Sequence, residues 1–504
     1  MSHNLRELLH GVDVQHYAEG PVPGGLPYVD VAHVASDSRD IKAGDLFISC
    51  AKDPLKEPAY LEQALDRGAS VILLEQGAKL SEHLRAKAAS HGAVLLQTPN
   101  ARYALSRIAA RLFPHVPDTL AAVTGTNGKS SVASFVRQIW SAAGHQAAYW
   151  GTVGLEADVT GIVPQSTLTT PDPMVLSKTL EQLAHAGITH VSLEASSIGL
   201  DQERLSGISL QAAAFTQFTQ DHLDYHGTME KYFEAKIRLF RDILSPQGTA
   251  VLNSDVSEFE TLKNMCENRG IKIISYGQKS SDLRIRSIQP IADGYEVDCE
   301  VFGKKEILQV PLMGEFQVYN SLAALGLAIA TGVEPSLAIQ AVSYLKSVAG
   351  RMERAGQTAG GATIYVDYAH TPDALANVLK SLRPHTTGHL WVVFGCGGDR
   401  DAGKRPLMGQ VAAQLADHVI VTDDNPRTED PTVIRAQILA GCQADVLEIA
   451  DRAQAIEMAC KKAKTGDRII IAGKGHEQGQ IVGTQILPFD DLHVARAHCV
   501  SDKA

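Results

Sequence analysis

Short apolar runs and amphipathic stretches alternate along most of this chain, and their spacing predicts an α/β protein built in several parts. In the first hundred or so residues the runs DLFISC (45–50), SVILLEQ (70–76) and AVLLQTP (93–99) are separated by stretches of helical period, YLEQALDRG (60–68) and ALSRIAARLF (104–113). A small α/β domain over 1–117 is expected. From residue 119, TLAAVTGTNGKSSVASFVRQIWSAAG predicts a buried strand, a glycine-containing turn and an amphipathic helix, with further strands at THVSLEA, QAAAFTQF and GTAVLN. Between Leu283 and Leu312 the period changes to two, which predicts antiparallel strands, and a helix around 318–332 closes a second domain over 118–349. A new series then begins, with apolar runs at ATIYVDYAH, HLWVVFGCGGD, HVIVTDDNP and DRIIIAGKG separated by helical stretches. This predicts a third domain over 350–504 with a mainly parallel sheet.

Composition narrows the function classes. A chain of 504 residues with 44% apolar content can bury more than one core. No run approaches the ~18 apolar residues needed to cross a bilayer, and the N-terminal segment lacks a basic stretch followed by an apolar one, so a cytoplasmic protein without membrane insertion is expected. Seven cysteines (Cys50, Cys266, Cys299, Cys396, Cys442, Cys460, Cys499), scattered and without a C-x-x-C pair, argue against a disulfide framework or a zinc ribbon. The formal charge of -11 disfavours nucleic acid as a partner, so any phosphate must be held by a local device.

Such a device stands between the first strand and helix of the second domain. In Thr124-Gly-Thr-Asn-Gly-Lys-Ser-Ser131 the backbone amides of Gly125, Thr126, Asn127 and Gly128 and the helix N-terminus can surround a phosphate, while Lys129 neutralises its outer oxygens. Ser130 is placed to face magnesium, with Ser131 beside it. The spacing G-x-x-G-K-S is two residues shorter than the usual G-x-x-x-x-G-K-[ST].

This loop resembles the phosphate loop of the Mur ligases and of folylpolyglutamate synthase, which share a three-domain plan and form an acyl phosphate before an amine attacks. Further segments recur in the order of the Mur ligase family: Thr169-Thr170-Pro171, Leu193-Glu194-Ala195-Ser196-Ser197, Asp221-His222-Leu223-Asp224-Tyr225-His226, Asn320, Gly350-Arg351-Met352-Glu353, Asp367-Tyr368-Ala369-His370-Thr371-Pro372, Gly395 to Arg400, Asp424-Asn425-Pro426-Arg427 and Gly473-Lys474-Gly475-His476-Glu477. The resemblance covers the chain from about residue 36. It implies a central P-loop nucleotide-binding domain and a C-terminal Rossmann-like domain.

The same resemblance implies roles for individual residues. Lys129, Glu194, His222 and Lys236 form the catalytic set, with Ser130, Glu194 and His222 as magnesium ligands; by spacing alone, His222 and His226 read as two exposed loop histidines. Lys236 falls where the family carries a carbamylated lysine, the alternative being an unmodified lysine facing solvent. Asn320 and Arg351 are expected at the adenine and phosphate side of ATP, and Asp367 at its ribose. Ser38 and Arg39 match a segment that contacts the uridine nucleotide. Thr169, Thr170, Ser196, Gln202 and Arg204 are expected to hold a UDP-muramoyl dipeptide, the alternative for the hydroxyl residues being capping and turn duty. Two departures from the family pattern are the segment AKDPLKEPAY (51–60) and Ile198, where many relatives have histidine.

The amine substrate is read from the third domain. Diaminopimelate differs from lysine by a second carboxylate at its far end, and a receptor for it needs a cation there, preferably a fork-shaped guanidinium. Arg427 supplies one, and Asp-Asn-Pro-Arg marks diaminopimelate-adding members of the family. Arg400, Asp424, Asn425, Pro426, Gly473 and Glu477 match further positions around the amino acid, Glu477 being suited to an ammonium. The expected protein is a monomeric ligase using ATP, magnesium, a UDP-muramoyl dipeptide and meso-diaminopimelate, in which lysine is a poor substrate.

Overall fold

The computed structural model describes residues 3–17, 28–51, 53, 55–164, 166, 168–443 and 446–500. Within the divergent segment 51–60, Lys52 and Pro54 lie outside the described residues. The chain forms two compact units: Met1–Lys129 with Gly144–Leu252 and Val256–Ile273, and Ser130–Ala143 with Asn253–Asp255 and Ile274–Ala504.

The first unit contains two larger sheets beside a two-stranded pairing of His3–Asn4 with Asp30–Val31. Its N-terminal sheet has five strands in the order Gln15–His16, Val94–Thr98, Val71–Glu75, Leu46–Ile48, Val34–Ala35, all parallel except the first pair. The apolar runs read in the sequence supply the buried strands, and separate cores form around Leu46, Val71 and Ile108 and around Phe47, Ile72 and Leu65. Alternate residues of one strand thus feed different cores, which is why each run is apolar without a break.

The second sheet of this unit carries the chemistry. Its order is Gly154–Ala157, Ala147–Gly151, His190–Glu194, Thr119–Thr124, Leu210–Phe215, Leu244–Asn253, and every pairing after the first in that order is parallel. The hairpin of Ala147–Gly151 and Gly154–Ala157 was not anticipated from the sequence. Register aligns the strands' C-terminal ends, pairing Glu194 with Val123 and Phe215 with Thr124. Loops leaving those ends therefore emerge side by side, the position at which open parallel sheets bind ligands. Behind them, Phe215 packs edge-on against Phe233, with ring centroids 6.2 Å apart. This fixes the helix Met229–Arg238, which bears Lys236, against the sheet.

In the second unit the predicted period-two segments are an antiparallel meander of Leu283–Ile291, Gly294–Val301 and Lys304–Val310. The helix Phe316–Ala330 is buried over most of its length, as its nearly unbroken apolar sequence requires. The C-terminal sheet runs Glu353–Gln357, Thr363–Asp367, Arg468–Ala472, Leu390–Phe394, His418–Val421, Leu447–Glu448, parallel except for its first pair. Two of its helices start at side-chain caps followed by proline: Thr371 before Pro372 and Asp430 before Pro431. A second unanticipated hairpin, Gly479–Val482 with Gln485–Pro488, follows the last strand of that sheet. Among the described residues no helix is long and apolar enough to cross a membrane.

Candidate active site

In the first unit the glycine-rich loop is shaped by neighbours as well as by its own sequence. Gly125 has φ 145° and Gly128 φ 87°, and a Cβ at Gly125 would fall 1.9 Å from Thr216 Oγ1. The segment after strand Leu210–Phe215 straps the loop down. The Thr126 amide donates to Gln217 O (2.7 Å), Thr216 Oγ1 donates to Asn127 O (2.6 Å), and the Thr126 hydroxyl meets Thr219 (3.0 Å). Thr216 and Thr219 had no signature in the sequence beyond lying after a strand. Lys129 Nζ folds back to donate to Gly125 O (3.1 Å) and Thr126 O (2.8 Å).

Lys236 reaches the same loop. Its side chain is buried at 1% exposure, lies over the Tyr232 ring and donates to Gly125 O at 2.7 Å. The solvent-facing alternative is thereby corrected: the apolar face of its helix turns the lysine inward. Burial first, then the charge of Lys129, pushes the Lys236 amine down to about 6, with Asp221 opposing. At neutral pH this amine is mostly uncharged, and a neutral amine is a nucleophile.

Glu194 ends its strand at 1% exposure. Its carboxylate accepts from the Thr152 amide (2.8 Å) and hydroxyl (3.1 Å), and a Cβ at Gly151 would lie 1.8 Å from Glu194 Oε1. A polar chain continues from it. Thr152 Oγ1 lies 3.1 Å from Thr169 Oγ1, and Thr170 Oγ1 donates to Glu194 O (2.8 Å) and accepts from Ser196 N (2.9 Å). Arg204 donates to Thr170 O (2.6 Å) and to Gln202 Oε1 (2.8 Å), and Gln202 donates to Tyr225 Oη (3.1 Å). The residues predicted for the acyl donor are thus one connected group, and Ser196 also caps the short helix Ser197–Asp201, where Ile198 is half-buried. Ser38 is buried and donates to Gln63 Oε1 (2.7 Å), while Arg39 is exposed and paired with Asp37.

The two histidines part company. His222 is exposed, in the left-handed region at φ 50°, 3.5 Å from Asp221 Oδ2. His226 is buried, 3.0 Å from Ser197 Oγ, so the reading of two exposed loop histidines fails for it. Among the described residues no three His, Cys, Asp or Glu side chains gather as a preformed cation cage. A carboxylate, a hydroxyl and an imidazole suit a cation that keeps water and phosphate oxygens in its shell.

In the second unit Ser130 and Ser131 open the remainder of the helix Lys129–Ala142. Asn320 is buried and donates to Gln317 Oε1 (2.8 Å). Asp367, at its strand end, accepts the amides of Met352 (2.7 Å) and Ala369 (2.8 Å); burial nonetheless raises its carboxyl above the usual range. The Arg351 guanidinium sits 5.0 Å from the Tyr368 ring centroid.

The Asp-Asn-Pro-Arg loop is held by the unforeseen hairpin. Arg427, at φ 51°, donates its amide to Ile481 O (3.0 Å) and accepts from Gly483 N (2.7 Å). Asn425 Oδ1 accepts from Ile481 N (2.9 Å), and Gln480 Nε2 donates to Asp424 O (2.7 Å). Arg427 Nη1 donates to Gly398 O (2.8 Å), and a Cβ on Gly397 would come 2.8 Å from Arg427 Nη1 and 3.8 Å from Arg400 Cγ. The two arginines therefore border one glycine shelf. Close by, Asp424 Oδ2 lies 2.6 Å from where a Gly473 Cβ would stand, and Glu477 Oε2 accepts from Asn425 Nδ2 (2.8 Å) and the buried Lys474 (3.2 Å). Cations and carboxylates are thus carried on loops tied to one another by hydrogen bonds, a set of groups suited to a zwitterion with an additional acid group.

Residues 123–328 match the family model of the Mur ligase middle domain, and residues 350–475 that of the Mur ligase glutamate ligase domain. The chain is similar to a UDP-N-acetylmuramoyl-L-alanyl-D-glutamate--2,6-diaminopimelate ligase of Rhizobium meliloti (strain 1021), at 45% identity over 93% of this chain and 94% of the relative. The chain belongs to the Mur ligase family. A solved structure of a ligase of that same description superposes on this Mur ligase with TM-score 0.74 and 33% identity, covering 99% of both chains. The MurF ligase of Thermotoga maritima, solved in complex with ADP, shares the fold at TM-score 0.56 and 17% identity over 87% of this chain and 93% of its own. The family's three-domain α/β architecture is that of this Mur ligase.

Proposed function

We infer that this Mur ligase joins meso-diaminopimelate to UDP-N-acetylmuramoyl-L-alanyl-D-glutamate, consuming ATP and releasing ADP and phosphate, in the synthesis of peptidoglycan precursors. The observation that carries the specificity is the Arg427 guanidinium, whose Nη1 lies against Gly397 beside the Arg400 side chain, on a loop that Asn425 ties to Glu477. The far carboxylate of diaminopimelate meets Arg427, and an ammonium of the amino acid meets the acidic side. Lysine would leave a guanidinium in that pocket without its anion, which a polar recognition site penalises strongly.

The γ-phosphoryl group of ATP passes to the D-glutamate side-chain carboxylate, giving an acyl phosphate; the diaminopimelate amine attacks its carbonyl carbon, and phosphate leaves as the amide forms. Two anions must approach for the first step, and this chain supplies cations for it. Lys129 turns from its loop carbonyls to the phosphates, the amides of Gly125 to Gly128 and the opening of the helix with Ser130 and Ser131 cradle them, and Arg204 with Gln202, Thr169, Thr170 and Ser196 orients the acyl donor. Asn320, Arg351 and Asp367 take the adenosine and phosphate end of ATP, and Ser38 the uridine nucleotide. Ser130, Glu194 and His222 would hold magnesium, which would supply neutralisation of phosphate and carboxylate charge.

Lys236 takes up carbon dioxide. Its neutral amine attacks the carbon, a proton is released, and the resulting carbamate puts an anion beside Lys129, where an ammonium is disfavoured. The working division of the chain is 1–117 for the uridine nucleotide, 118–349 for ATP and 350–504 for the amino acid, in a monomeric cytoplasmic enzyme. The deciding experiment incubates the protein with ATP, magnesium and the UDP-muramoyl dipeptide, offers diaminopimelate or lysine separately, and weighs the product. A tripeptide mass with diaminopimelate alone is expected; equal yields with both amines would overturn the specificity.

A further inference from the structure

We propose that Lys474 is a positioning residue of the amine site, whose buried ammonium fixes which faces of Asn425 and Glu477 the incoming amino acid meets. The inference rests on the reading of this pocket as the amino-acid receptor. Lys474 itself has no exposed surface, so it acts through its two partners rather than on the substrate.

The backbone around it is confined. Gly473 has φ 122° and Gly475 φ 56°, and Cβ atoms there would come 2.6 Å from Asp424 Oδ2 and 2.8 Å from Tyr368 Cβ. A side chain between two such glycines has little freedom to shift along the chain. Its ammonium donates to Asn425 Oδ1 at 3.0 Å and to Glu477 Oε2 at 3.2 Å.

A lysine ammonium is a donor only, so both partners must turn oxygens toward it. For Asn425 this decides the amide's orientation, because Oδ1 then accepts from both Lys474 Nζ and the Ile481 amide. The flipped amide would set its NH2 against two donors. With Oδ1 inward, Nδ2 points the other way and donates to Glu477 Oε2 at 2.8 Å. Glu477 Oε2 consequently receives two donors, which turns the side chain so that Oε1 is left for an ammonium from the substrate. The charge of Glu477 is at the same time partly balanced from beneath, so the pocket selects by direction as well as by attraction. Removing the buried cation would free both side chains to rotate and leave the carboxylate with less to hold it.

The test compares Lys474→Met, Lys474→Arg, Glu477→Gln and the double variant Lys474→Met/Glu477→Gln with the full-length enzyme, measuring KM for each of the three substrates. Lys474→Met is expected to raise KM for diaminopimelate by roughly 10- to 100-fold, the loss typical of a charged hydrogen-bonding partner, while KM for ATP and for the UDP-muramoyl dipeptide stays within about two-fold. Lys474→Arg restores part of the loss. The double variant loses about as much as Glu477→Gln alone, since the lysine acts through that carboxylate. Should Lys474→Met fail to fold, the double variant, which leaves no unpaired charge, carries the comparison with Glu477→Gln. An equal rise in KM for ATP, or full additivity in the double variant, overturns the proposal. Failure of the wild-type enzyme to ligate diaminopimelate would instead sink the functional reading beneath it, and the same assay shows which of the two has failed.

Discussion

Two buried lysines, one in each compact unit, meet opposite electrostatic fates. Lys236, 1% exposed, has the carbonyl of Gly125 for a partner and the positive Lys129 for a neighbour, and its amine falls to about 6. Lys474, with no exposed surface, lies 3.2 Å from the carboxylate of Glu477 and 3.0 Å from the Asn425 oxygen. Burial alone therefore does not decide what a lysine does. An anion in reach lets a buried lysine orient its partners, whereas burial without one, reinforced by a neighbouring cation, leaves a neutral amine open to reaction.

The sharpest way to break this contrast is Lys129→Ala, which removes the group we propose neutralises phosphate and a charge that disfavours the Lys236 ammonium. ATP turnover should drop by roughly 10²- to 10³-fold, the range seen when one preorganised transition-state donor is lost. The pKa of Lys236 should move up, read by the pH dependence of its labelling with an amine reagent. An unmoved titration would assign the whole depression to burial.

Stability against pH gives the next largest effect. A lysine whose folded pKa is about 6 against an ordinary 10.5 opposes folding increasingly as pH falls through that window, because the unfolded chain binds a proton that the folded one refuses. Between pH 7 and 9 this contributes roughly 3 kcal/mol of stability gained with rising pH, at about 1.36 kcal/mol per pH unit. Urea unfolding in buffer free of carbon dioxide should show the rise in the wild type, and Lys236→Met should flatten it. A variant curve parallel to the wild type would mean that the lysine is charged where it lies.

On the other side of the comparison, Arg427→Ala should raise KM for diaminopimelate by roughly 10- to 100-fold with KM for ATP unchanged, as loss of one charged hydrogen-bonded contact would do. Steady-state kinetics with each substrate varied in turn decides it. The smallest expected change is that of Asp221→Asn, which removes the one charge favouring the Lys236 ammonium and should lower its titration by less than Lys129→Ala raises it.

The two regions also differ in how far they could be read beforehand. The glycine-rich loop and its helix were legible because strand, turn, glycines and lysine are contiguous, and Lys129 bonds to residues only three and four positions earlier. The strap from Thr216 to Thr219 was not, since it acts from some 90 positions away. The proposed amino-acid site was legible only as a set of residue types. Its Asp-Asn-Pro-Arg loop is held by a hairpin more than 50 positions further on, whose short strands, one half-buried and one exposed, carry no strong period.

Sequence by itself determined most of the strand and helix content, the order of the α/β series, the glycine-rich loop and the presence of an arginine in the Asp-Asn-Pro-Arg run. These follow from apolar period, turn chemistry and side-chain type, all of which are local. Only the tertiary structure decided which lysine is neutral and which is paired, which way the Asn425 amide faces, and that His226 is buried while His222 is exposed. Charge state and orientation depend on what surrounds a group in space, and those surroundings come from segments that the chain brings together only when it folds.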